Sequence, residues 1–350
     1  MIKELTSLRY ILILVIFFHH ALPSYPGGGD MGVACFFVLS GFCYALGYGS
    51  KVTSAQFNYR SFVKSRLVKF YPLHWITLLL AIPISIYAAL GWKNILVLGA
   101  NAILVQSWIP ISTVYYSYNG VSWFLSDMVF LVMAFPFLFR WLDSRNKRTI
   151  CLVMAGIAYC FICIVTPGPH RNTVLYVHPI VRLCDFMVGI MAGMWYLHLS
   201  VNKPVDDFVQ HHKAFTAMVS WLSMLILVAL SVFVPAQYTL MAWIFWPAIV
   251  ILLLSVSLNR GGLLANPFLH RLGTISFPFY MIHQLVIRYL DLASGKADIH
   301  VPLAATVTIS LLLSILLSFL LDKTVLRRLK RIGASETPSE MARRATKRME

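Results

Sequence analysis

The chain has 350 residues, 59% hydrophobic and 12% charged, with a mean hydropathy of +0.75, which excludes a soluble domain of ordinary composition and points to a bilayer as its solvent. Its formal net charge is +16, yet runs such as Ile11–Phe18 carry no charge, so the basic residues are gathered in loops and tails. Six cysteines (Cys35, Cys43, Cys151, Cys160, Cys163, Cys184) lie in apolar runs without metal-ligand spacing; they read as reduced, buried thiols, and neither a metal nor a nucleic-acid partner is expected.

The first apolar run, Leu5–Leu22, is followed by no small-x-small cleavage site and reads as a retained first span. A span needs roughly 20 apolar residues. By that measure spans fall at 5–22, 31–48, 71–90, 121–139, 149–166, 179–199, 214–234, 239–258, 275–293 and 301–321. The run Ile95–Trp108 is also apolar, but Asn101, Gln106 and Pro110 interrupt it, which predicts an interfacial or re-entrant helix. The expected fold class is an all-α polytopic membrane bundle of about ten helices, with both termini cytoplasmic.

Charge supports that topology, because Lys and Arg accumulate on the cytoplasmic side. Lys3, Arg9, five basic residues in 51–69, four in 140–148, Lys203, Lys213, Arg260, Arg271 and nine in the tail share one side. The other side and its flanks hold Lys93, Arg171, Arg182, Arg288 and Lys296. Counting 95–108 as spanning would swap every later loop and erase the bias. Residues 1–321 thus read as one membrane domain and 322–350 as a basic, solvated cytoplasmic tail attracted to anionic lipid. Gly27–Gly29 and Pro167–Pro169 mark outside turns, and no internal repeat is found.

Charged side chains inside hydrocarbon cost about 2.5–3.5 kcal/mol even on lenient scales, so each one invites a functional reading. Arg9 and His20 bracket the first span. Eleven residues at about 100° each return to nearly the same azimuth, roughly 16 Å along the axis, so the two share a stripe that His19 leaves by about 100°. Snorkelling to the two interfaces would also account for them. Arg182 and Asp185, spaced i, i+3, are expected to neutralise each other. Asp127 in the fourth span has no local partner, and His283 lies in the ninth. In the loop Lys51–Lys69, Arg66 and Lys69 precede Tyr71-Pro72 at the mouth of the third span; they serve as positive-inside anchors and would also suit a phosphate-bearing ligand.

These residues resemble the acyltransferase-3 membrane O-acyltransferases that decorate bacterial surface polysaccharides. Arg9, ten residues, then His20 resembles that family's Arg-x10-His signature, and Gly32-Val-Ala-Cys-Phe-Phe-Val-Leu-Ser-Gly41-Phe its second-helix motif. Arg66-Leu-Val-Lys69-Phe-Tyr-Pro72-Leu-His-Trp75 resembles its basic third-helix entry, Trp123-Phe-Leu-Ser-Asp127 one subgroup's fourth-helix opening, and Ser276-Phe-Pro-Phe-Tyr-Met-Ile-His283 its penultimate-helix motif. The five matches stand in family order over nearly the whole chain. Two departures are Lys69 where a second Arg is common, which keeps charge but loses a bidentate fork, and Ala34 where many members carry an acid.

The resemblance implies transfer of an acyl group, acetyl from acetyl-CoA in most members, to a hydroxyl of a carbohydrate acceptor in the bacterial inner membrane. It assigns His20 as general base and Arg9 as donor-binding or electrostatic stabiliser, with Arg66 and Lys69 holding the cofactor, Trp123 at the acceptor, and Asp127 and His283 either binding the acceptor or supporting the groups that do. It also implies that the membrane part acts without an appended esterase-like domain. A covalent acyl-histidine is a second route on the same residues. A transporter or lipid-linked-sugar flippase is the alternative that intramembrane polar residues allow, although the repeated halves and matching broken helices common in transporters are not found.

Overall fold

The computed structural model describes residues 2–22, 28–85, 91–170, 172–235, 242–297 and 301–327. The tail beyond residue 327 and Gly27 of the expected first turn lie outside them. Among the described residues the chain is helical throughout, with no strand. The long helices are α1 (Lys3–Ala21), α2 (Gly29–Thr53) and α3 (Tyr59–Ala81), followed by a short α4 (Trp92–Ala102). Next come α5 (Trp123–Trp141), α6 (Arg145–Val165), α7 (Pro179–Leu199), a surface helix α8 (Lys203–His211) and α9 (Lys213–Phe233). The last group is α10 (Trp246–Leu258), α11 (Pro267–Thr274), α12 (Ser276–Ala297) and α13 (Leu303–Leu321).

Eight of these segments are long and apolar enough to cross a membrane, and α10 with the turn before it forms a shorter apolar helix over Ala242–Leu258. α12 has the length, 22 residues, but carries Gln284, Arg288, Asp291 and Lys296, which dilute its hydropathy. Over the described residues each of the ten expected spans thus lies mainly on a helix, with 86–90 of the third and 239–241 of the eighth lying outside them, and the chain is a multi-pass membrane protein.

The expected loop Lys51–Lys69 is mostly helical. α2 runs on to Thr53, and α3 begins at Tyr59, where the Asn58 side chain accepts from Ser61 N at 2.9 Å. Charge ends the apolar segment there without ending the helix, so Arg66 and Lys69 sit on α3 rather than in a loop. The segment expected to be interfacial or re-entrant is a short helix: α4 has 11 residues, about 16 Å, and Leu104 just beyond it takes φ 58°. Its polar residues are paired inside the protein, Asn101 Nδ2 donating to Ser117 Oγ at 2.7 Å and Gln106 Nε2 to Ser122 Oγ at 3.1 Å. That is the condition for irregular backbone at membrane depth.

α1 runs through the interior against α2, α10, α11, α12 and α13. At the α2–α7 crossing a methyl at Gly41 would strike the Phe186 carbonyl and one at Gly189 the Val38 carbonyl. Small residues there let two backbones touch, the packing used where lipid removes the hydrophobic drive between helices. α6, α9 and α13 are mostly exposed and apolar, the rim that faces lipid.

Candidate active site

α1 ends in His19 and His20. The ring of His19 packs over Gly29 at the start of α2, where a Cβ would lie 2.6 Å from it. His20 turns inward, and its Nδ1 lies 3.0 Å from Nε2 of His283 on α12. His283 is fully buried, its ring stacked on Phe279 at 5.9 Å and 7°. Its Nδ1 faces the carbonyls of Tyr280 (2.8 Å) and Phe279 (3.2 Å).

With both rings neutral, this chain of contacts fixes their tautomers. A carbonyl only accepts, so His283 carries its proton on Nδ1 and presents a lone pair at Nε2. His20 therefore donates from Nδ1 and keeps the lone pair on its own Nε2. The dyad leaves His20 as a proton acceptor in a cavity of about 660 Å³ that it lines with Asp30, Trp123, Tyr176, Tyr280, Gln284 and Arg288 among others.

At the other end of α1, Arg9 opens into a second cavity of about 820 Å³, where Lys3, Arg66 and Arg260 join it opposite one acid, Glu4. The Arg66 guanidinium lies 4.4 Å from the centre of the Tyr48 ring and donates to that residue's hydroxyl. Four cations and one carboxylate give this chamber a net positive lining. By the distribution of basic residues this is the cytoplasmic end, and the histidine cavity is the outer one.

The two cavities share no lining residue. Between them α1 buries Leu12 and Ile13, while Phe279 of α12 spans the same level, its ring 6.2 Å from Tyr10 and 5.8 Å from Phe17. Arg9 and His20 do occupy opposite ends of one helix, but they open into separate chambers. The side chain brought to His20 is His283, 263 positions away.

The remaining expected residues divide by location. Trp123 lines the outer cavity, its ring 5.0 Å from that of Tyr176. Asp127, one turn further along α5, is fully buried and outside the cavity lining. The Ser107 hydroxyl lies beside it, and neither carboxyl oxygen completes a hydrogen bond among the described residues. Lys69 is exposed and outside the lining of the inner cavity. Arg182 and Asp185 pair at 2.7 Å, fully buried, with Trp246 Nε1 donating to Asp185 at 2.6 Å. The Arg182 guanidinium lies 5.4 Å from the Tyr176 ring centre, so the pair braces a wall of the outer cavity.

Sequence reasoning missed Lys3, Arg260 and Tyr48 at the inner cavity and Asp30, Tyr176, Gln284 and Arg288 at the outer one. Arg260 reads as an ordinary loop cation, and only its bond to the Tyr196 hydroxyl (3.1 Å) reveals its direction. Arg288 and Gln284 carry a signal in hindsight, polar positions on the same span as His283.

Comparison with known proteins gives the family. A family model described as an acyltransferase domain, that of the acyltransferase-3 family, matches residues 2–323. Acyltransferase MdmB of Streptomyces mycarofaciens is 28% identical over 329 residues, covering 82% of this chain and 79% of that protein. No solved structure matches significantly. A helical membrane bundle with a histidine dyad above a cationic chamber, matched over nearly its full length by that model, belongs to the acyltransferase-3 family and is an acyltransferase.

Proposed function

We propose that the protein transfers an acyl group, acetyl in the first instance, from cytosolic acyl-CoA to a hydroxyl of a cell-surface carbohydrate or its lipid-linked precursor, in the bacterial inner membrane. The observation that carries this reading is the His20–His283 dyad, which holds an imidazole lone pair in a roomy, aromatic-walled outer cavity.

The nucleotide phosphates of the donor rest against Arg9, Arg66 and Arg260, while Lys69 on the exposed flank of α3 adds attraction at the entrance. The pantetheine arm points along α1. With its peptide-like units at about 3.5 Å per residue it reaches about 15 Å, close to the roughly 16 Å between Arg9 and His20. Its passage requires the packed level at Tyr10, Phe17 and Phe279 to part, so donor binding and opening are coupled.

In the outer cavity His20 Nε2 takes the proton of the acceptor hydroxyl as its oxygen bonds to the thioester carbonyl carbon. The carbon–sulfur bond breaks, the departing thiolate takes that proton from the imidazolium, and ester and CoA thiol result. His283 holds the imidazole in the required tautomer and, through its bond to a backbone carbonyl, stabilises the transient positive charge. Trp123 supplies a flat wall for a sugar ring, and Asp127 below it supports that wall from within α5.

Two measurements test the proposal together. CoA should raise the thermal stability of the purified protein, and mass spectrometry of the surface glycan should show a loss of acyl mass in a deletion strain. A glycan of unchanged mass, with no stabilisation by CoA, would contradict it.

A further inference from the structure

The outer cavity contains a polar group that the dyad does not use. Arg288 is committed to the carbonyls of Tyr118 (2.6 Å) and Ile84 (2.9 Å), and the Tyr280 hydroxyl to the Val121 carbonyl (2.9 Å). His20 is committed through Nδ1. The Gln284 carboxamide lines the same cavity, half-buried, and makes no hydrogen bond among the described residues. With two donors and an acceptor turned to the cavity, this carboxamide is available to a ligand that enters there.

Its seat is shaped for it. Gln284 follows His283, so α12 turns it about 100° from the dyad. It faces Gly120, where an added Cβ would stand 2.8 Å from Gln284 Oε1. Gly120 begins a short 3₁₀ turn, Gly120–Ser122, and its φ is not positive, so space rather than backbone conformation calls for glycine. The preceding residue ties this turn to α12, Asn119 Nδ2 donating to the Met281 carbonyl at 2.9 Å. The turn that Gln284 faces is therefore held to the same helix that carries His283.

The geometry points to Gln284 as the residue that selects the acceptor, hydrogen-bonding the hydroxyl next to the one that His20 deprotonates. A carboxamide both donates and accepts, as a hydroxyl does. The fitting substrate is a ring polyol with neighbouring hydroxyls, its less polar face against Trp123 and Tyr176. A monohydroxy acceptor leaves the amide unpaired, the situation in which a polar site rejects an analogue most strongly. This inference rests on the acyl-transfer reading above.

The test uses the full chain in lipid nanodiscs with acetyl-CoA, following thiol release with the methyl glycosides of glucose, galactose, mannose and rhamnose. The glycosides that serve are then compared with their monodeoxy analogues. In the wild-type chain, loss of one neighbouring hydroxyl should lower kcat/KM by about tenfold or more. In Gln284→Leu that ratio should fall to near one while the acetyl-CoA KM holds. Gly120→Ala, which crowds the carboxamide without removing it, should reduce the ratio in part. Transfer with the same discrimination in wild type and Gln284→Leu overturns the role of Gln284 and leaves acyl transfer standing. No thiol release with any glycoside, from a wild-type chain that CoA stabilises, overturns the carbohydrate acceptor as well.

Discussion

His20 Nδ1 and His283 Nε2 lie 3.0 Å apart, and a backbone carbonyl on the far side of His283 determines which nitrogen of each ring carries the proton. The dyad therefore behaves as one unit, with His20 facing the cavity and His283 facing the core. Removing the buried member should leave the imidazole of His20 present but free to turn or to protonate on the wrong nitrogen.

His283→Ala is accordingly expected to lower kcat by about a hundredfold. The KM for acyl-CoA should be little changed, because the proposed seat of the donor phosphates is at the other end of α1. His283→Asn, which can still bond His20, should recover part of the loss. Steady-state thiol release from protein in nanodiscs measures both parameters, and a rise in acyl-CoA KM with kcat intact would contradict the assignment.

The cationic chamber makes a separate prediction. Arg9→Ala and Arg66→Ala should each raise the acyl-CoA KM about tenfold and flatten its dependence on ionic strength, since each removes a charge-assisted contact. Arg66→Lys should restore charge but not the fork, and fall between. Lys69→Ala, on the exposed side of α3, should have a smaller effect than either. Isothermal titration with CoA and with pantetheine separates phosphate contacts from arm contacts; pantetheine binding should be indifferent to Arg66.

The α2–α7 crossing sets the frame around both cavities. Gly41→Ala should destabilise the fold by about 1–3 kcal/mol or more, because the new methyl meets the Phe186 carbonyl rather than a side chain that can move. Gly156→Ala, on lipid-facing α6 with nothing within 4 Å, should be neutral or stabilise slightly. Thermal unfolding in detergent followed by tryptophan fluorescence reads both.

Arg182 and Asp185 form a buried pair whose members need each other. Arg182→Leu or Asp185→Leu alone should cost about 3–5 kcal/mol, while the double variant should recover much of that loss. The recovery in a double-mutant cycle is the diagnostic quantity. Additive losses would show that each side chain has a role beyond its partner.

Much of this architecture was legible in the sequence because membrane segments declare themselves by length and apolarity. The short α4 was legible for the same reason, since Asn101 and Gln106 cannot face lipid. So was Arg182–Asp185, a pair within one helical turn. The His20–His283 contact was not, because periodicity tells which face of a helix is polar and not which helix will meet it. The shared stripe of Arg9 and His20 suggested a common site, but the rings of Tyr10, Phe17 and Phe279 fill the level between them. The start of α3 was missed because basic residues mark the edge of the bilayer, whereas the helix is capped about three turns earlier at Asn58.

The most direct test of the account compares His20→Ala with His19→Ala, adjacent residues of which only His20 joins the dyad, in acyl transfer from acetyl-CoA to the host glycan. His20→Ala should lose transfer by about a thousandfold or more while still binding CoA, and His19→Ala should keep most of it. Full transfer by His20→Ala, with loss in His19→Ala, would contradict the placement of the base.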